Sequence, residues 1–220
     1  MYPVCLEISD KLCIVVGGGT VALRKVKGLL AADGKVRVIS PRLVEGLARL
    51  HEEKRIEWLA RGFVSGDLEG AFLVFAATDR PEVQRLVVHE AGNAGIPVNV
   101  IDAPEQCDFQ VPASLRRGKL TLAVSTDGTS PAVAAMIRNQ LQGRYGEEYG
   151  VLLELMAKVR EYLMVRESDC EHRKILFQNV LHDDIVLWIK TGQQERLRGH
   201  LRDVLGPDID FDFTLPGVDA

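Results

Sequence analysis

The sequence predicts an α/β fold: a parallel sheet covered by helices, then a short strand-and-helix segment, then an all-helical C-terminal domain. Three observations carry this. The stretch KLCIVVGGGTVALRKVKGLL passes from an apolar run through a glycine cluster into apolar residues at helical spacing. Apolar runs and helical stretches then alternate as far as residue 102. From Glu147 onward, strand signals vanish.

Leu12 to Val16 predicts the first strand, and Val21, Leu23, Val26, Leu29 and Leu30 mark one face of the helix after the glycines. Asp33-Gly34 turns the chain into a second strand, Val36-Arg37-Val38-Ile39. Strand, glycine turn, helix and strand within about thirty residues form the Rossmann-like βαβ unit that binds dinucleotides. A helix from about Leu43 to Glu52 follows, then a strand and turn in RIEWLARGF. Ala71 to Ala77 predicts a buried strand ending in Thr78-Asp79, Pro81 opens the next helix, and Gly95 precedes the strand of NVID.

Beyond Asp102 the pattern changes. Lys119 to Ser125 predicts a strand outside the βαβ count, which points to an additional sheet or a dimer contact. A turn over Thr126 to Thr129 leads to Ser130 as N-cap and Pro131 at the first helical position. Leu152, Leu155, Met156, Val159, Tyr162 and Leu163, and later Ile185, Leu187, Trp188 and Ile189, give helical periodicity over 148–205. The expected division is 1–112 nucleotide-binding domain, 113–146 dimerisation segment, 147–206 helical domain and 207–220 a loosely ordered acidic tail.

The glycine cluster fits G-x-G-x-x-A. Gly17 makes the tight turn, Gly19 admits a pyrophosphate to the backbone, and Ala22 keeps helix and strand close. The phosphates then sit on the helix N-terminus, where unpaired N–H groups and the dipole favour anions. The acidic residue that often ends the second strand is missing, and the position reads Ser40-Pro41-Arg42. Ser40 can hydrogen-bond a ribose, and Arg42 can stack on adenine or pair with a 2′-phosphate, so NAD and NADP both stay open on the residues alone. Thr78, Asp79, Asn99 and Val100 end two successive strands and are assigned to the same crevice. Asp102 follows an apolar run, at the edge where open parallel sheets place their ligands. Two readings of it are open here: a turn residue before Ala103-Pro104, or a reacting carboxylate.

With 46% hydrophobic and 26% charged residues, the chain can bury a sizeable core. No apolar segment approaches the ~20 residues that span a bilayer, and the N-terminus lacks a signal-peptide pattern, so no membrane and a cytoplasmic location are expected. A net charge of −4 and a pI near 5.8 argue against a nucleic-acid partner. The four cysteines are scattered, which predicts reduced thiols, and Cys107 is read as a small buried hydrophobe. The five histidines show no ligand pairing, so no metal site is assigned.

VVGGGTVALRKVKGLL, FAATDRPEVQ, VNVIDAPEQCDFQVPA and LAVSTDGTSPAVAAMIR, in that order, resemble the precorrin-2 dehydrogenase family, including the N-terminal part of siroheme synthases. The specific match covers about residues 1–145. The resemblance implies NAD-dependent oxidation of precorrin-2 to sirohydrochlorin, in some members joined to insertion of Fe2+ as a substrate. It implies a homodimer, NAD contacts at Thr20, Val21, Pro41 and Arg42, and an essential aspartate at Asp102. One departure stands out: the second hydroxyl of the family's common AVSS stretch is Thr126 here, after Ser125.

That activity gives Asp102 a task, because oxidising a reduced tetrapyrrole sends a hydride to the nicotinamide and a proton to a base. The substrate is a polycarboxylate, so an acidic protein needs a local basic rim. Arg116, Arg117, Lys119 and Arg138 are its candidates, with Ser125 and Thr126 beside them. Two other classes remain: a nucleotide-sensing module without catalysis, and a different small-molecule dehydrogenase on the same fold.

Overall fold

The computed structural model describes residues 1–207 and 209, so the tail expected over 207–220 lies, apart from Pro207 and Ile209, outside the described residues. Two compact units divide the chain, Met1–Val111 and a second that begins at Pro112.

The first unit runs β1 (Leu12–Val16), α1 (Thr20–Leu30), β2 (Lys35–Ile39), α2 (Glu45–Glu52), β3 (Glu57–Leu59), β4 (Leu73–Ala76), α3 (Pro81–Ala94) and β5 (Val98–Val100). Its sheet has the order β3-β2-β1-β4-β5, with every neighbouring pair parallel. Strand β1 is central and serves two cores through the two-residue period of its side chains. Cys13 and Val15 pack with Ala22, Val26 and Leu47 of α1 and α2, while Ile14 and Val16 pack with Val87 and Ala91 of α3. Burial pushes the Cys13 thiol up to about 11, in keeping with a residue that only fills space.

Every strand expected in this unit is present: β1 keeps its expected bounds, β2 gains Lys35 and β4 is shorter at both ends. Ala71 and Ala77 fall outside β4, although Phe72 N–H donates to Leu12 O at 2.7 Å and Ala77 N–H to Val16 O at 2.8 Å, extending the ladder. Helix α2 begins at Glu45 rather than Leu43 because Val44 is still extended. Helix α3 has Pro81 in its first turn and stops at Gly95, left-handed at φ 67°, as its sequence predicts.

The second unit opens with an antiparallel hairpin, β6 (Ala113–Arg117) and β7 (Leu120–Val124), followed by α4 (Pro131–Arg144) packed on both strands. The sequence predicts only the second strand. ASLRR escapes the pattern because Leu115 is its single buried residue, with polar or charged neighbours on both sides. Ser130 caps α4 as expected, its hydroxyl accepting from Val133 N–H at 3.3 Å.

Among the described residues four helices follow: α5 (Glu148–Arg166), α6 (Cys170–Val180), α7 (Ile185–Lys190) and α8 (Gln194–Leu205). Leu152, Leu155, Val159 and Leu163 on α5 form a core with Val180, Ile185, Ile189, Leu197 and Leu201. The hairpin turn meets the first turn of α5 through two glycines. A Cβ on Gly118, at φ 52°, would lie 3.3 Å from Gly150 Cα, and one on Gly150 would lie 3.2 Å from the Arg117 carbonyl carbon. Among the described residues no helix is long and apolar enough to cross a membrane.

Candidate dinucleotide-binding and active site

From β1 the chain moves outward through β2 and β3, then returns to β4 on the other side of β1. The carboxyl ends of β1 and β4 therefore bound the crevice where such sheets hold ligands. The two ends touch: Gly17, at φ 134°, would drive a Cβ to 2.0 Å from Ala77 O, so only glycine fits. Gly18 is equally constrained, since its Cβ would meet Arg42 O at 1.9 Å and Ser40 Oγ at 2.6 Å. Gly18 occupies an x of the fingerprint, so the motif gives it no role, although its place within an unbroken run of three glycines is a signal.

Gly19 is different. A Cβ built there meets nothing within 4 Å, so its openness faces outward from the protein. Gly19 also precedes α1, whose first turn has no acidic residue and no side-chain cap. That leaves backbone N–H groups at Thr20 and Val21 available to an anion, with an exposed Thr20 beside them. Ala22 is fully buried, as close helix–sheet packing requires.

At the end of β2 the geometry reassigns Ser40. It is 8% exposed, its hydroxyl donates to Arg42 O at 2.7 Å, and its carbonyl accepts from Trp58 Nε1–H at 2.8 Å. Ser40 therefore shapes the Pro41-Arg42 turn, and Val44 N–H ties that turn to Gly18 O at 2.8 Å. Pro41 and Arg42 are exposed, and among the described residues no carboxylate pairs with Arg42. At the end of β4, Thr78 Oγ1 accepts from Arg80 N–H at 3.3 Å and Thr78 O accepts from Gln84 Nε2 at 2.7 Å, while Asp79 is exposed.

Beyond β5, Asp102 stands exposed with φ 58°, one of five non-glycine residues in the left-handed region among those described. Aspartate tolerates that conformation better than most residues. Val100 is buried in the core against α3. Asn99 is 9% exposed and its amide is engaged: Oδ1 accepts from Lys25 Nζ at 3.1 Å, and Nδ2 donates to Phe109 O at 3.0 Å. Burial pushes the Lys25 ammonium below its ordinary range, Arg24 adds to that, and Cys107 opposes it. Cys107 departs from its reading as a plain hydrophobe, because its sulfur lies 3.1 Å from Val100 N and 3.3 Å from Val100 O.

The candidates for a basic rim lie in the second unit. Arg117 is occupied: Nε donates to Tyr145 O at 3.2 Å and lies 3.3 Å from Glu147 Oε1. Arg116 and Lys119 are exposed. Ser125 Oγ accepts from Asp127 N–H at 3.2 Å, and Thr126 Oγ1 donates to Ser130 O at 3.1 Å, so both shape the turn before α4. Arg138 is half-buried on α4, and among the described residues its Nε has no hydrogen-bond partner. Among the described residues no group of three His, Cys, Asp or Glu side chains is placed to hold a metal ion.

The first unit coincides with a family of known proteins: residues 4–113, half of the chain, match the family described as putative NAD(P)-binding. The chain belongs to that NAD(P)-binding family. Residues 117–144 match the central segment of sirohaem biosynthesis proteins, covering the hairpin turn, β7 and α4 of this NAD(P)-binding protein. The chain is 41% identical over 203 residues to the siroheme synthase of Methylobacillus flagellatus, covering 92% of this chain and 44% of that one. It is 36% identical over 209 residues to the siroheme synthase of Thioalkalivibrio sulfidiphilus, covering 95% of this chain and 43% of that one. The chain thus spans less than half the length of these relatives. Among solved structures it resembles SirC, a precorrin-2 dehydrogenase, with a TM-score of 0.78 and 25% identity, covering 93% of this chain and 98% of that one. The resemblance drawn from the four sequence motifs is borne out.

Proposed function

We propose that this protein oxidises precorrin-2 to sirohydrochlorin with NAD, and that Asp102 is the base. The observation that carries the reading is the likeness to SirC over nearly the whole of both chains. The open cradle at Gly19 and the uncapped N-terminus of α1 supply what a pyrophosphate requires. NAD, when bound, accepts a hydride from the reduced macrocycle. Thr20 and Val21 hold the phosphates through their N–H groups, and Pro41 and Arg42 flank the adenosine end. Asp102 accepts the proton that leaves the substrate. Its carboxylate suits the task, since among the described residues no side chain hydrogen-bonds it and it is exposed at the sheet edge.

Incubating the purified protein with precorrin-2 and NAD tests the reading by appearance of the sirohydrochlorin spectrum. No absorbance change with fresh substrate would overturn it. A parallel run with NADP should give a lower kcat/KM by a modest factor, because Arg42 does not exclude the extra phosphate.

The siroheme synthase names of the relatives favour a second step, in which Fe2+ enters sirohydrochlorin as a substrate. Supplying iron and sirohydrochlorin without NAD and following siroheme formation tests that step. A homodimer formed through the hairpin and α4 completes the proposal, with sedimentation as its measurement.

A further inference from the structure

The segment between β5 and Phe109 leaves Asp102 on a short loop whose shape is set from below. Asp108 closes that loop: its N–H donates to Val98 O at 2.9 Å, and its Oδ2 accepts from Val98 N–H at 2.9 Å. Ile101 N–H donates to Ala76 O at 3.2 Å, which anchors the loop's other end to β4. Between these ties sits the Cys107 sulfur. It accepts from Val100 N–H at 3.1 Å and reaches Val100 O at 3.3 Å and Ala103 O at 3.4 Å, so it spans Asp102 from both sides. A thiol has one proton, which serves one of those two carbonyls at a time.

The same cluster reaches the cofactor helix. Asn99 Nδ2 lies 3.6 Å from the Cys107 sulfur and 3.0 Å from Phe109 O, and Asn99 Oδ1 accepts from Lys25 Nζ at 3.1 Å. Lys25 belongs to α1, the helix whose N-terminus faces the open cradle. Its ammonium also lies 5.0 Å from the centroid of Phe75, which packs edge-on against Phe109 at 5.3 Å.

We propose that Lys25, Asn99 and Cys107 form a positioning clamp that fixes the Asp102 turn relative to the cofactor-binding helix. The proposal rests on Asp102 being the base. Three features support it. Asp102 sits in a left-handed conformation that surrounding structure must enforce. Its side chain receives no hydrogen bond among the described residues that would aim it. And the only polar chain joining its loop to α1 runs, among those residues, through Asn99. Among the described residues none of the three bonds the Asp102 carboxylate, so each acts through the loop that carries it.

The test compares Cys107→Ala, Cys107→Ser, Lys25→Met and Asp102→Asn in the full chain, reading kcat, KM for NAD and NAD affinity by calorimetry. Cys107→Ala and Lys25→Met should each lower kcat about tenfold while NAD affinity stays within about twofold, since a small misplacement of a base slows chemistry more than binding. Cys107→Ser, which keeps a donor and an acceptor, should recover most of the loss. In an Asp102→Asn background, Cys107→Ala should cost nothing further, because the clamp works through the carboxylate it holds. Wild-type kcat in Cys107→Ala alongside an inactive Asp102→Asn overturns the clamp and leaves Asp102 as the base. Near-normal turnover in Asp102→Asn overturns both. Additive losses in the double variant, or equal losses with serine and alanine, assign Cys107 to packing and overturn the clamp.

Discussion

Three glycines in a row carry three different physical demands, and substitutions separate them. Gly17→Ala forces a Cβ into Ala77 O from a backbone at φ 134°, so it should destabilise the fold on the order of 3 kcal/mol in urea unfolding. Gly19→Asp has room for its side chain and should leave the unfolding midpoint nearly unchanged. It should abolish NAD binding in calorimetry, because the new carboxylate enters the anion's place. Asp102→Asn keeps shape and suits the left-handed backbone, yet cannot take a proton. We expect ordinary NAD affinity with kcat lowered at least about a hundredfold in the sirohydrochlorin assay. At this scale the sequence showed which residue types met at the crevice but not how they were used. Ser40 looked like a ribose ligand and instead bonds Arg42 O, a partner two residues away that no spacing rule singles out. Cys107 looked apolar because its nearest partners, at 3.1 to 3.4 Å, are backbone groups of Val100 and Ala103, which a string of side chains does not display.

At the scale of elements, the parallel strands were legible because burial on both faces writes a continuous apolar run. The β6 strand was not, since a hairpin covered on one side by α4 needs only Leu115. Between β3 and β4 the chain depends on a charge. The Arg61 guanidinium grips the Asp67 carboxylate through two bonds of 2.7 and 2.6 Å, and Val64 N–H adds a third at 2.8 Å. The Arg61 hydrogen bond is the chief cause that holds the Asp67 carboxyl below its usual range. A carboxylate with a depressed folded-state pKa contributes stability that is present above its unfolded value, near pH 4, and lost as pH falls through the folded value. Asp67→Asn should therefore lower the urea midpoint at pH 7, and the gap from wild type should close as acid is added below about pH 4. A gap that stays constant with pH would assign the loss to geometry instead of charge.

At the scale of the whole molecule, the sheet order is what makes the reading of function possible. Reversal of the strand order between β1 and β4 gathers residues 17–19, 40–42, 77–79 and 99–102 at one edge, although more than eighty positions separate the first from the last. Four short motifs, each ordinary alone, become informative because they end four strands that are neighbours in the sheet. The second unit offered less to the sequence reading. Its helices follow a 3.6-residue period that states only that a core exists, shared by α5 to α8. The residues proposed there for a basic rim divide accordingly: Arg117 is taken up by Tyr145 O and Glu147, whereas Lys119 stands exposed.

The paired glycines at the hairpin turn bear on where this chain can be divided. Composition changes near residue 147, and a gene cut there looks harmless. Cohesion runs the other way. Gly118 and Gly150 lie in backbone contact, and Arg117 grips Tyr145 and Glu147 on either side of the cut. A two-stranded hairpin is marginal without a covering layer. A chain shortened to residues 1–146 should therefore lose amide protection in β6 and β7 while its glycine cradle still takes up NAD. For recombination between relatives, the tolerant crossover lies earlier, near Val111 and Pro112, where one compact unit gives way to the next.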